Sequence, residues 1–384
     1  MNSLGIYIHI PFCVKKCSYC DFYSLRHTTY EREKSYIEAL CTHIKQESNL
    51  YKDYTVDTIF LGGGTPSILS LESIKELTAC LKNSFNITKD AEFTIEANPG
   101  TLDREKLNCY LKNRINRLSI GLQSTNDNEL LRLGRIHTFE DFEKSYQLAR
   151  ECGFKNISID VMLALPDQNL EGFMKTLDRV CDFNPEHISS YCLKIEDNTF
   201  FGAIREKLVL PSEEEENKMY IALCKALKER GYEQYEVSNF SKKGYRSRHN
   251  LKYWQSEEYI GFGPSAHSYF NGVRYSYPRD INKYINDINN GCLKKTIEDE
   301  GKSEEDGKAL IDKMDEYVML KLRITDGISN SEFENQFGTS FLTAYPRVLK
   351  YIRSGHMKEE NGCYSFTPTG FIVSNYILVD ILHF

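Results

Sequence analysis

Six short apolar runs, at 6–10, 58–61, 93–95, 118–120, 157–161 and 188–191, punctuate the first 240 residues. Runs of this length predict buried strands. Between them, apolar residues recur every three to four positions instead. Ile37, Leu40, Cys41 and Ile44 share one helical face, as do Leu71, Ile74, Leu77 and Leu81. Leu170, Phe173, Leu177 and Val180 repeat the pattern, followed by Tyr220, Leu223, Cys224 and Leu227. Ser212 with Glu215 three places on predicts a capping box opening that last helix. Strand and helix alternating in this way imply a parallel sheet, because parallel neighbours need helical crossovers. The pattern leaves an open doubly wound sheet and a barrel as alternatives.

Past this region the periodicity weakens. One more short strand is expected at 233–237, and 238–300 reads as irregular and rich in tyrosine and glycine. The charged, glycine-containing stretch 298–307 reads as a solvated linker. Helices follow near 308–323, 331–337 and 341–353, the third stopped by Gly355. A strand at 363–367 and an apolar helix at 370–382 complete the chain. Helix, short helix, helix and wing resembles a winged-helix module.

Composition narrows the function. The 384 residues carry a formal net charge of −7, which argues against a nucleic-acid footprint and for a helical end that packs on its neighbours. Hydrophobic content of 41% and charged content of 27% fit an ordinary globular protein. No apolar run is long enough to span a bilayer and no basic-then-apolar leader opens the chain, so a cytoplasmic protein is expected. Without a secretion signal, the 12 cysteines do not suggest a disulfide framework.

Three of those cysteines cluster. Cys13, Cys17 and Cys20 are spaced C-x3-C-x2-C on the loop after the first strand. Three thiolates on a [4Fe–4S] cube leave one iron open to a small chelating molecule, whereas structural iron–sulfur and zinc sites normally close at four protein ligands. Lys15 and Lys16 would help keep the thiolates ionised. The triplet alone leaves open a zinc site completed by His9 or Asp21.

Further residues point to a lined cavity. Gly62-Gly63-Gly64-Thr65 follows the second strand, where exposed backbone N–H groups can bind a carboxylate. Glu96, Gln123 and Asp160 stand at or near the ends of later strands, the usual place for a barrel's active site. Arg135 can pair with a carboxylate. Each taken singly is as readily structural; their convergence is what suggests a site.

Tyr7-Ile8-His9-Ile10-Pro11-Phe12-Cys13, Tyr19-Cys20, the 62–67 loop, Glu96-Ala97-Asn98-Pro99-Gly100, Ser119-Ile120-Gly121-Leu122-Gln123-Ser124 and Leu133-Gly134-Arg135 occur in that order. In this series the chain resembles the oxygen-independent coproporphyrinogen III oxidase-like radical S-adenosylmethionine (SAM) proteins. The resemblance implies an α/β fold: an incomplete (β/α)6 barrel over 1–240, a barrel-closing segment over 241–300 and a mainly helical, winged-helix-like domain over 301–384. It also implies that Cys13, Cys17 and Cys20 hold a [4Fe–4S] cluster. By the same resemblance Tyr7, Tyr19, Gly63, Gly64, Thr65, Glu96, Gln123, Arg135 and Asp160 contact SAM.

Two features separate branches of the family. The oxidases resemble one another in a further cysteine two places after the third, where this chain has Phe22. His249-Asn250-Leu251-Lys252-Tyr253-Trp254 resembles the H-N-x-x-Y-W heme-binding motif of the heme chaperone branch. An imidazole can ligate heme iron, Tyr253 and Trp254 offer flat apolar surface, and Lys242, Lys243, Arg246 and Arg248 can pair with propionates. The expected function is therefore heme binding and transfer to an acceptor protein, with His249 as heme ligand and His267 as the second candidate. The alternatives are a coproporphyrinogen III dehydrogenase and a zinc-binding regulatory protein. Oligomeric state and peripheral membrane contact stay open.

Overall fold

The computed structural model describes residues 2–26, 28–299 and 307–383. The linker expected at 298–307 falls largely outside them. The chain divides into two compact units, one of residues 1–211 and 258–300, the other of 212–257 and 301–384.

In the first unit all six predicted strands are present and longer than their apolar centres: β1 (Asn2–Ile10), β2 (Tyr54–Gly63), β3 (Ile87–Ala97), β4 (Arg117–Gln123), β5 (Ile157–Leu163) and β6 (His187–Cys192). They pair in parallel in sequence order. Ile59, Leu61, Ile95, Leu118, Ile120, Ile157 and Ile159 are buried on one face. The alternate positions carry Thr94 and Glu96, Arg117 and Ser119, Ser158 and Asp160, and His187 and Ser189 on the other. Period two thus gives the sheet one apolar and one polar face, and the polar face is the one available to a site.

Helices Tyr30–Glu47, Leu71–Ser84, Arg104–Lys112, Phe139–Cys152 and Leu170–Asp182 supply the crossovers. Thr29, Ser70, Asp103, Thr138 and Asn169 each accept a backbone N–H at the helix start.

Residues 238–299 are more ordered than their composition suggests. Tyr259–Phe262 pairs in parallel with β1 on the side away from β2. His267–Phe270, Val273–Ser276 and Thr296–Asp299 extend that edge as an antiparallel meander. These strands have only one to three apolar residues each, and 259–262 finds β1 some 250 residues away, so local periodicity does not reveal them.

The second unit contains helix Glu213–Glu229, with the expected capping box at Ser212 and Glu215. It also holds helices Gly307–Lys321 and Asn330–Phe337, then two short helices, Phe341–Ala344 and Val348–Arg353, where one was predicted. The break falls at Tyr345-Pro346, because proline lacks an N–H and disfavours helical backbone in the residue before it. A three-stranded sheet joins Ile328–Ser329, Cys363–Phe366 and Met357–Glu360, giving the expected winged-helix-like arrangement. Val318, Leu322, Phe333, Phe341, Val348 and Ile377 form its core. No helix among the described residues is long and apolar enough to cross a membrane.

Candidate functional site

The cysteine loop leaves β1 and is held from three sides by backbone hydrogen bonds. Gly64 N–H donates to the Ile10 carbonyl and Thr65 N–H to that of Phe12, both at 2.8 Å. Ser18 N–H donates to the Leu133 carbonyl (2.9 Å), and Phe201 N–H donates to the Ser18 carbonyl (2.8 Å). Glycine is required where these segments meet. A Cβ on Gly63, at φ +109°, would stand 2.5–3.0 Å from the His9 ring, and one on Gly134 would meet Ser18 Oγ at 2.8 Å.

His9 acts as a strut. Its Nε2 lies 2.8 Å from the Tyr23 carbonyl and its Nδ1 3.0 Å from the Tyr7 hydroxyl. Burial lowers its pKa to about 4, so the ring is neutral; Nε2–H donates to Tyr23 and Nδ1 accepts from Tyr7. An imidazole so engaged is a poor candidate for a fourth metal ligand.

Cys17 sits close enough to Cys13 and Cys20 to oppose the ionisation of both. Burial pushes Cys13 up, and pushes Cys20 up to about 11. Lys15 and Lys16 are exposed, so burial outweighs the ionising influence expected of them. The thiolates therefore call for a strongly cationic partner, which bound iron supplies. Thr65 Oγ1 lies 3.5 Å from Cys13 Sγ, and Arg135 Nη1 donates to Cys17 Sγ at 3.4 Å.

Beside the thiols opens a shallow cleft, partly open to solvent, lined by Cys17, Thr65, Asn98, Gly134 and Arg135 among others. Of the residues expected to contact SAM, Thr65 and Arg135 line it directly. Asn98, which sequence reasoning passed over, is the hub. It donates to Thr65 Oγ1 (3.0 Å) and accepts from Arg135 Nη2 (2.6 Å), which also donates to the Gly121 carbonyl (2.6 Å). Its signal was available: it follows Glu96 by two positions, so it extends the polar face of β3.

The other expected residues lie on or beside that polar face. Gln123 ends β4 with φ 72°, next to a register shift between Gly121 and Gln123. Gly121 lies beside the Gln123, Asn98 and Arg135 side chains. Tyr7 lies over Phe60 with ring centroids 6.3 Å apart. Tyr19 sits near Arg135 and Cys17. Asp160 accepts from Ser119 and Ser158 Oγ at 3.0–3.1 Å. Arg117, only 2% exposed, lies near Glu96 and Asp160 and lowers the pKa of both, and its Nε has no hydrogen-bond partner among the described residues.

Glu96 accepts from the Gly63 N–H at 3.0 Å, yet burial and then the Asp160 charge raise its pKa to about 7. The native carboxyl thus keeps a proton that the unfolded one loses near 4.5, so its contribution to stability falls as pH rises through that window. Glu96→Gln is expected to stabilise the ligand-free protein at pH 8 by on the order of 2 kcal/mol, and not at all near pH 4. Unfolding midpoints at the two pH values measure this. Equal midpoints at pH 8 would mean that Glu96 ionises there without penalty.

The two candidate heme ligands differ sharply. His249, in helix Arg248–Trp254 of the second unit, is 0% exposed, and its Nε2 lies 2.9 Å from the Tyr253 hydroxyl. His267, in the first unit, has a side chain 58% exposed and 3.1 Å from Glu298. Among the proposed propionate partners, Arg246 is already paired with Asp326 at 2.7 Å. Phe22 is 69% exposed, so the position that distinguishes the oxidases lies at the surface.

Residues 7–180 match the Radical SAM superfamily, and residues 309–373 match the HemN C-terminal domain. The chain is 36% identical over 379 residues to the heme chaperone HemW of Buchnera aphidicola subsp. Schizaphis graminum (strain Sg), covering 98% of both chains. It is 35% identical to the heme chaperone HemW of Bacillus subtilis (strain 168), covering 97% of each. The solved structure of coproporphyrinogen III oxidase (HemN) from Escherichia coli, a radical SAM enzyme, superposes with a TM-score of 0.84 at 23% identity, covering 100% of this chain and 90% of that one. At that identity the likeness establishes a shared fold.

Proposed function

Since the chain belongs to the HemW family of radical SAM proteins, we propose that it binds heme and passes it to an acceptor protein, carrying a [4Fe–4S] cluster and SAM. The observation that carries this reading is the end-to-end match to heme chaperones, which includes the second unit. The exposed Phe22, where the oxidases resemble one another in a cysteine, supports it.

Cys13, Cys17 and Cys20 are the proposed cluster ligands; their donor chemistry suits iron, and burial disfavours Cys13 and Cys20 as free thiolates. When bound, the cluster and SAM supply one-electron chemistry at the sulfonium centre. The chain's part is positioning. Arg135, fixed by Asn98 and the Gly121 carbonyl, presents a fixed positive charge in the cavity to a carboxylate. Gly63, Gly64 and Thr65 bring backbone close to the cysteine loop. Tyr7, Tyr19, Glu96, Gln123 and Asp160 complete the proposed SAM surroundings.

Heme is the cargo, and helix Arg248–Trp254 is its proposed binding element. Lys242, Lys243 and Arg248 are the proposed partners of its propionates. His267 remains the second candidate for the iron.

Anaerobic reconstitution with iron and sulfide, followed by heme titration, tests the reading on one sample. Stoichiometric iron and labile sulfide with saturable Soret absorbance are expected. Robust turnover of coproporphyrinogen III with SAM and reductant would instead assign the protein to the oxidases, and absence of heme binding would remove the chaperone assignment.

A further inference from the structure

Resting on the heme reading, we infer that the iron of ferric heme is ligated by the phenolate oxygen of Tyr253, with His249 as its hydrogen-bond partner and proton acceptor. The helical spacing puts these two residues on one face, four positions apart. Their rings meet edge to face, with centroids 5.2 Å apart and planes at 84°, and His249 Nε2 and Tyr253 Oη are 2.9 Å apart.

Three observations favour the tyrosine. His249 is 0% exposed, and a porphyrin is a broad plane that must lie across its ligand atom with both faces accommodated. Seating it on His249 Nε2 means breaking the bond to Tyr253 and uncovering a fully buried ring. Tyr253 is only partly buried, and its oxygen is the atom farthest from the helix backbone. Finally, a phenol has an ordinary pKa of about 10 and ligates ferric iron as the anion, so it needs a nearby base. The His249 imidazole at hydrogen-bond distance is that base, and tyrosine is an established axial ligand type for heme iron.

The step balances without any redox partner. The Tyr253 O–H bond breaks, its proton moves to His249 Nε2, and an Fe(III)–O bond forms. No electron moves and the total charge is unchanged. Release runs the same step backwards: the imidazolium returns the proton as the Fe–O bond breaks. A ligand with its own proton source is suited to cargo that must leave. A hard phenolate also favours ferric over ferrous iron, so reduction should loosen the complex.

The test is hemin titration of the full-length, cluster-bearing protein, read by resonance Raman and ferric EPR. The wild type is expected to give a high-spin ferric signal with phenolate modes that shift when ring-deuterated tyrosine is incorporated. This readout needs no variant. Tyr253→Phe should lose those modes and bind heme at least about tenfold more weakly, roughly 1.4 kcal/mol. His249→Gln should retain the modes with weakened affinity. Absence of tyrosine-sensitive modes in the wild type would overturn the inference. So would a Tyr253→Phe spectrum identical to wild type, and loss of the axial signature in His249→Gln alone would then assign the iron to His249 with the heme reading intact. A wild type that binds no heme at all would instead defeat the reading on which the inference rests.

Discussion

Replacing Cys17 with alanine is expected to remove the iron–sulfur centre while leaving the fold standing. A cluster held by three protein thiolates has no spare ligand, so loss of one sulfur leaves two, below what holds a [4Fe–4S] cube. The fold has other supports. Arg135, which donates to Cys17 Sγ at 3.4 Å, keeps shorter bonds to Asn98 and the Gly121 carbonyl, both 2.6 Å. The loop keeps its Ser18 bonds to Leu133 and Phe201. Iron and labile sulfide after anaerobic reconstitution should fall to background, while stability changes by no more than about 1 kcal/mol. Full iron retention would take Cys17 out of the ligand set.

Gly64→Ala is expected to damage both the fold and the cluster. A Cβ there would lie 2.6 Å from the Phe12 carbonyl oxygen, 2.8 Å from that of Ile10 and 2.9 Å from the Phe12 nitrogen. All three are backbone atoms, so no side chain can swing aside. They also belong to the junction where Gly64 and Thr65 hydrogen-bond the start of the cysteine loop. Overpacking of this kind costs typically 1–3 kcal/mol, and the rigid surroundings place this case at about 3. Gly153→Ala is the control. Gly153 has φ +108° but nothing within 4 Å of a Cβ, so only backbone strain of about 1 kcal/mol is expected. Denaturant midpoints and iron content should fall together for Gly64→Ala and stay near wild type for the control. Undiminished iron in Gly64→Ala would show that the loop tolerates a wider junction.

The site was unevenly legible in the chain. Cys13, Cys17 and Cys20 announce themselves because their chemistry and spacing are local. Gly63 and Gly64 could be singled out as glycines after a strand, but the His9 ring and Phe12 backbone that require them come from the preceding βα unit. Asn98 was less visible, because an asparagine at a strand end is ordinary until Arg135 and Thr65 are brought to its two sides. The charge effect expected of Lys15 and Lys16 is present from Lys16 on Cys20 but is outweighed, for a related reason. Sequence proximity does not measure burial, and burial is the larger influence on Cys13 and Cys20.

What the sequence by itself determined was the series of βα units, the capped helix starts and the cysteine loop, because periods of two and 3.6 residues and short motif spacings are local properties. Tertiary structure decided the rest. It joined 259–262 to β1 across some 250 residues and extended the sheet through a segment that reads as irregular. It split the third helix of the second unit at Tyr345-Pro346, where the motif-level pattern ran on. Above all, it buried His249 against Tyr253 and left His267 exposed. Two histidines of one chemical kind differ through solvent access and partners, and both are set by what packs around them.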